Sequence, residues 1–428
     1  MSGSERAVRG SWRYVSGERG FFPPLPPTLF ARNNAMAVAL MTALPAVGGS
    51  AVSMLLALYF GWGIICVALG RFPLLLTPTD RIAVGAFSAY WLLILVTALF
   101  QPDPLDGLRI AAQLLPFLSL WVMIPRLRAS PEVDYLSFMA AGAAIGAISA
   151  TALGLWQVAQ GAARPEAMAG NAGVYAILCL GLGALSAVNI DSPIAKRRWL
   201  AFAGIIAGGI GMTISLTRGV WLAALPIAVL MVLYAPRRWA QFRPATILGI
   251  LALALAATVM FAGQFLLDLF HQTVTAFQTM ALGDFTSSPG QRVRMWIAAA
   301  EAFGESPLWG YGIQNRMDVV IGHYPLNAPH VVPYSHAHNG FFSAAIDGGV
   351  LVLTALVAVL AAPVLVAARH RREPDGRRRL FAAWMLVLTV ALCGLTQIMF
   401  KHDILDAFFV YTTAVIAASV PVASGRKS

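Results

Sequence analysis

The sequence predicts an all-α integral membrane protein with about twelve transmembrane helices. Composition, a succession of apolar runs and the placement of the basic residues predict it. Of 428 residues, 58% are hydrophobic and only 11% charged. A soluble globular domain carries roughly a quarter charged residues, so this chain could not cover a soluble surface. At about 20 apolar residues per span, the length leaves room for ten to thirteen helices and some loop.

The apolar runs fall near 31–47, 50–70, 82–100, 108–124, 136–156, 172–190, 199–214, 219–235, 244–264, 339–368, 380–400 and 404–422. The first two are divided only at Gly48-Gly49-Ser50. Merging them would give eleven spans and put the termini on opposite sides. Charge favours the division. With the N-terminus inside and sides alternating, 23 of the 30 Lys and Arg residues fall inside. Arg109, Arg164, Arg218, Arg292, Arg294, Arg316 and Lys401 remain outside. Excess Lys and Arg mark cytoplasmic loops, so both termini are expected there. The same rule accounts for the net charge of +11 without nucleic acid.

These runs divide the chain into a basic, Pro-rich cytoplasmic tail (1–30), helices one to nine (31–264), an outside loop (265–338), helices ten to twelve (339–422) and a short tail (423–428). The tail bears Arg6, Arg9, Arg13 and Arg19 before a Phe-Phe-Pro-Pro-Leu-Pro-Pro stretch, with no apolar core of a cleavable signal. Cys66, Cys179 and Cys393 all lie within apolar runs and imply no disulfide framework.

The outside loop is long, and long loops are often functional. Ser288-Pro289-Gly290-Gln291 reads as a helix start, with Ser288 as N-cap, Pro289 first and Gln291 closing a capping box. Val293, Trp296, Ile297, Ala300 and Phe303 follow as one apolar stripe, stopped by Pro307, Gly310 and Gly312. An earlier set, Leu266, Leu269, Phe270, Val274 and Phe277, suggests an amphipathic helix lying on the membrane.

The outside cations are exceptions to the charge rule and therefore the candidates for chemistry. Arg218 interrupts the apolar pattern in Ser215-Leu-Thr-Arg-Gly219, although an arginine there could merely snorkel. Arg292 and Arg294 sit on opposite flanks of the stripe, with Arg292 on the flank of Trp296. His336 and His338 precede span ten in Tyr334-Ser-His-Ala-His-Asn-Gly340 and would point the same way on an extended segment. Two histidines could hold a metal, but no third ligand at a recognisable spacing completes a site, and none is expected. A neutral imidazole at the boundary could instead act as a base. Arginine suits phosphate oxygens. A substrate bearing phosphate or pyrophosphate at the outer leaflet is the natural fit, and displacement at a sugar carbon the reaction class.

Ser-Leu-Thr-Arg-Gly (215–219), Arg292 to Trp296, Pro307-Leu-Trp-Gly-Tyr-Gly312 and His338-Asn339 together resemble the pattern of the O-antigen ligase and Wzy-type polymerase superfamily, over roughly residues 160–360. The resemblance implies a GT-C-like, metal-independent glycosyltransferase of a bacterial inner membrane with its active site on the periplasmic face and no cofactor. In an O-antigen ligase, a polysaccharide passes from undecaprenyl pyrophosphate to lipid A–core oligosaccharide. By motif position, His338 would be the base and Arg218 and Arg292 the pyrophosphate ligands. Arg164 would assist them, with Asn171 in the same loop. His336, Asn339, Arg294 and Lys401 are further candidates, Lys401 by charge alone. Polymerases and protein O-oligosaccharyltransferases share these motifs and differ in acceptor. The absence of a large appended C-terminal domain leans against the latter. A transporter of a lipid-linked anion would show inverted repeats or broken, charged helices at depth; no repeat is evident, and the cations lie at helix ends.

Overall fold

The computed structural model describes residues 20–74, 76–234, 267–268, 270–324, 334 and 336–421. Among them all regular structure is helical. In chain order the helices are α1 (Leu29–Ala43), α2 (Ala51–Ala68), α3 (Pro78–Leu99), α4 (Pro104–Gln113), α5 (Leu120–Arg128), α6 (Tyr135–Ala159), α7 (Ala172–Ser186), α8 (Ala195–Ile214) and α9 (Arg218–Tyr234). After these come α10 (270–281), α11 (Ser288–Glu305), α12 (Arg316–Gly322), α13 (Gly340–Arg369), α14 (Gly376–Cys393) and α15 (Asp403–Ala418).

Helices occupy every predicted apolar run except 244–264, which lies outside the described residues. The first two runs form separate helices, parted at a turn where Gly49 is left-handed (φ 55°). Among the described residues, 5 helices are long and apolar enough to cross a membrane: α2, α3, α6, α13, and α7 with its continuation to Asn189. The pair α4 and 115–128, bent by 46°, would make a sixth, and α9 is apolar but shorter. The protein is thus an all-helical membrane protein.

Close packing of small residues holds the bundle together, as expected where lipid removes the hydrophobic drive between helices. α6 packs on α1, α7 and α8, and α3 runs along α13. A Cβ on Gly142 of α6 would lie 2.2 Å from the Ala39 carbonyl of α1; one on Gly208 of α8 would lie 2.5 Å from that of Cys179. α7 is wholly buried, whereas α2 and α9 turn Leu58, Trp62, Leu222, Leu225 and Val232 outward, as lipid-facing surfaces should.

α13 departs from the single continuous span expected. It breaks at Gly348 and Gly349, where φ/ψ leave the helical region. The loop Pro307–Gly312 fills the break. Tyr311 N–H donates to the Ile346 carbonyl (2.8 Å), Gly312 N–H to that of Asp347 (2.9 Å), and Val350 N–H to that of Pro307 (2.8 Å). Broken helices survive at membrane depth only where their freed groups find such partners. Gly310 is left-handed (φ 63°) and its Cβ would meet the Ile346 carbonyl at 2.4 Å, so the Gly-rich motif is shaped to fit.

Outside the main core, Met295, Ala298, Ala299 and Ala302 of α11 join Val320 of α12 and Ile346 of α13 in a second small core. This corrects the expected stripe. Trp296 and Phe303 pack at its margin, but Ile297 and Ala300 face outward. α11 buries Ala298, Ala299 and Ala302 because a close helix contact has room only for small side chains. Its start is also one residue earlier than expected: Ser287 is the N-cap, accepting from Gly290 N–H, and Gln291 donates instead to the Thr286 carbonyl.

Candidate active site

The loops 160–171, 215–217, 306–315 and 394–402 meet α10 to α12 and the segment before α13 at one end of the bundle. In Ser215-Leu-Thr-Arg-Gly219 each residue has a local task. Leu216 is left-handed (φ 55°), which turns the chain sharply from α8 into α9. Thr217 Oγ1 accepts from the Arg164 guanidinium (2.9 Å), whose Nε donates to the Ser215 carbonyl (3.1 Å). A Cβ on Gly219 would sit 2.1 Å from Thr396 Oγ1, so glycine lets α9 approach the 394–402 loop. Arg218 is the first residue of α9, exposed, and donates to Gln272 Oε1 (2.8 Å) and Thr273 Oγ1 (3.3 Å) of α10. A cation at a helix N-terminus opposes the helix dipole, at a cost of about 0.3–1 kcal/mol. A bound anion would reverse that sign.

α11 presents Arg292 on one flank and Arg294 on another. Arg294 is buried, donates to the Phe285 carbonyl (3.2 Å) and lies over the Tyr324 ring, 5.5 Å from its centroid. It holds the small outer core together. Arg292 is half-buried, on the side of Trp296, whose indole N–H donates to the Ala337 carbonyl between the two histidines (3.0 Å). Burial, and the charges of Arg164 and Arg218, press its guanidinium downward, while Tyr334 opposes. Arg292 therefore feels the charge of both Arg164 and Arg218. Arginine stays charged under such pressure, and a site crowded with like charge attracts an anion.

The two histidine rings lie close, with centroids 4.3 Å apart and tilted by 55°, on a segment that is not the extended one that the spacing assumed. His338 is itself left-handed (φ 50°), a strained geometry for a non-glycine residue. Its ring meets that of Tyr334 edge to face at 5.0 Å, and Tyr334 donates to Gln291 of α11. The buried Nδ1 of His338 has no hydrogen-bond partner among the described residues. Burial first, then Arg292, pushes His338 down to about 4; burial, His338, Arg316, Arg292 and His402 push His336 down to about 3. Both imidazoles are neutral at pH 7. Lys401 (φ 70°) is lowered to about 8, chiefly by burial and then by Arg316.

Both candidate asparagines cap helices. Asn171 accepts from Gly173 N–H (2.7 Å) and Val174 N–H (3.3 Å) to start α7. Asn339 accepts from Phe341 N–H and Phe342 N–H to start α13, and donates to the Leu395 carbonyl (3.1 Å). Its part is to fix the residue that follows His338.

One pair escaped sequence reasoning. Arg316 and Asp347 form a bidentate ion pair, with side chains 6% and 1% exposed. They line a small cavity with Tyr90, Ser343, Phe400 and Lys401. The signal was present: a lone carboxylate in an apolar run needs a partner, and Arg316 was an outside cation without one. Among the described residues no three His, Cys, Asp or Glu side chains are grouped to hold a metal ion.

Among the described residues, an all-helical bundle with membrane-length apolar helices and a set of arginines and histidines brought together on its loops defines the class. Residues 202–357 match the O-antigen ligase family, so the chain's resemblance to the O-antigen ligase and Wzy-type superfamily rests on the segment that contains Arg218, Arg292 and His338. Members of that family are glycosyltransferase-like ligases and polymerases, and the match supports a function of that general kind. No curated protein matches the chain.

Proposed function

We propose that the protein is an O-antigen ligase of the bacterial inner membrane, moving a glycan from undecaprenyl pyrophosphate to a hydroxyl of lipid A–core oligosaccharide. In this reading the chain spans the membrane twelve times, with both termini cytoplasmic and the site periplasmic. One observation carries the reading: Arg164 is bound to the 215–217 turn that carries Arg218, Arg292 feels the charge of both, none of the three has a carboxylate in ion-pairing range among the described residues, and His338, which feels Arg292, has an imidazole nitrogen without a partner among them.

Neutral His338 takes the proton of the acceptor hydroxyl. The oxygen attacks the anomeric carbon as the bond to the diphosphate oxygen breaks. The electron pair leaves with polyprenyl diphosphate, whose added negative charge Arg218 and Arg292 stabilise. Fixed guanidinium groups supply that stabilisation, and transfer is expected to proceed without a metal. Arg164 orients the 215–217 turn through Ser215 and Thr217 and adds its charge beside Arg292.

The broken helix α13 and the buried Arg316–Asp347 pair are features a transporter could also show. Here the break is filled and the charges are matched, which favours a fixed scaffold over a moving gate. The deciding experiment offers the purified protein a lipid-pyrophosphate glycan with lipid A–core, a second donor or a Ser/Thr peptide as acceptor, in excess EDTA. Transfer to lipid A–core is expected. Chain elongation with the second donor would make it a polymerase. Loss of activity in EDTA, restored by a divalent ion, would overturn the metal-free mechanism.

A further inference from the structure

Arg218 does not end in solvent. It reaches α10, and α10 has two unlike sides. Leu267, Phe270 and Phe277 recur at helical spacing and are more than half exposed. Ala276 is buried toward the protein. His271, Gln272, Thr275 and Thr279 recur on the arc between. That polar arc faces Asp284 and Thr286 of the following turn across an open groove of about 620 Å³. The volume falls within the ~300–1,000 Å³ of small-molecule clefts.

The groove's chemistry is distinctive. Its donors and acceptors are hydroxyls, an amide, an imidazole and carboxylates, with no lysine or arginine lining it among the described residues. Such a surface repels a diphosphate and matches a ligand rich in hydroxyl groups. The helix's outward apolar arc is suited to the lipid interface. Arg218, tied to Gln272, stands at the groove's edge. One helix thus brings together an outward apolar arc, a bound guanidinium and a polar groove. A lipid-linked glycan joins three matching parts: hydrocarbon, diphosphate and sugars.

We propose that the groove between α10 and the 284–287 turn binds the sugars of the donor glycan nearest its diphosphate; this rests on the lipid-linked donor proposed above. The groove then contributes to which repeat units are accepted, separately from the arginines that hold the diphosphate.

The test uses full-length protein in detergent and two donors: a polyprenyl diphosphate carrying a single N-acetylhexosamine, and one carrying a complete oligosaccharide repeat from the host. Thr275 is exposed, so Thr275→Trp fills the groove without entering the core. The variant should raise KM for the repeat-bearing donor about tenfold with kcat little changed, and leave the single-sugar donor within about twofold, as loss of ground-state binding requires. Equal effects on both donors, or none on either, would overturn the proposal. Saturation-transfer NMR with the free, lipid-less repeat oligosaccharide gives a second reading. Wild type should show contact and Thr275→Trp should lose it; no contact with wild type overturns the groove. If wild type transfers from neither donor yet binds the free oligosaccharide, the ligase reading fails and the groove stands.

Discussion

The two ends of the bundle treat their cations differently. At the end with the greater share of basic residues, several guanidinium groups are held by partners within the protein. Arg128 pairs with Asp80 and donates to the Ala417 carbonyl (2.7 Å). Arg379, fully buried, donates to Ser419 Oγ (3.0 Å) and to the carbonyls of Ser419, Pro374 and His370. Arg378 meets Asp375, Asp134, Ser137 and Asn189. At the opposite end, Arg164 and Arg218 donate only to hydroxyls, an amide oxygen and a carbonyl, and neither they nor Arg292 and Lys401 have a carboxylate in range among the described residues. The first set fastens loops to helices and satisfies the charge rule for orientation. The second set is fewer, crowded and uncompensated, which is the state of cations that await an anion.

The largest effect expected from this contrast falls on His338. His338→Ala should lower kcat for glycan transfer by about a hundredfold to ten-thousandfold, the range for a positioned base, while the thermal midpoint and donor binding change little. His336→Ala should be milder. If the His336 variant is the inactive one, the two imidazoles have the reverse roles and the partnerless Nδ1 of His338 is incidental.

Arg316 tests whether the site end also contains a fastening cation. Arg316→Met leaves Asp347 charged and alone beside the α13 break, and should cost ~3–5 kcal/mol of stability, as breaking a buried pair does. Adding Asp347→Leu should recover most of the lost thermal midpoint. A single variant that melts normally but fails to bind donor would move Arg316 into the anion-binding set.

Next come the arginines themselves. Arg218→Ala or Arg292→Ala should raise donor KM or lower turnover about ten- to a hundredfold, from the ~1.5–3 kcal/mol of a hydrogen bond to a charged group, without lowering the melting point. Arg379→Ala should do the converse, leaving donor KM unchanged and losing ~1–3 kcal/mol of stability for each buried acceptor left unmade. Arg294→Ala should behave like Arg379→Ala, because its guanidinium serves Phe285 and Tyr324. Equal kinetic loss at Arg292 and Arg294 would dissolve the distinction between the two flanks of α11.

That distinction shows how far the sequence could be read. The helices were legible because long apolar runs admit little else in a membrane, and Gly48-Gly49 marked a real turn. The Arg292 flank was legible from its spacing to Trp296. The buried face of α11 was not, since Ala298, Ala299 and Ala302 weigh little in an apolar stripe, and close packing selected them over Ile297. The N-cap slipped by one because Ser287 and Ser288 are equally good caps and only backbone geometry chooses between them. The break in α13 stayed hidden for a different reason. Gly348 and Gly349 look tolerable in an apolar run, and their meaning depends on the loop 307–312, far away in sequence. Asn171 and Asn339 could have been read as N-caps, the commonest use of asparagine before a helix.

The smallest expected effect lies in pH. Burial first, then neighbouring groups, place His338 at about 4 and His336 at about 3, below the usual range, so the basic form is already present near pH 5. A profile of kcat/KM, which reports free enzyme, should therefore stay flat through pH 6.5, where an ordinary imidazole would titrate. Lys401, lowered to about 8, keeps its charge below that pH and loses it above. If its charge helps to gather the anionic donor, kcat/KM should fall a few-fold above pH 8, and Lys401→Gln should remove that limb and lower the plateau by less than about tenfold. An acid limb near pH 6.5 would mean that His338 is more open to water than its burial suggests and is not held neutral by it.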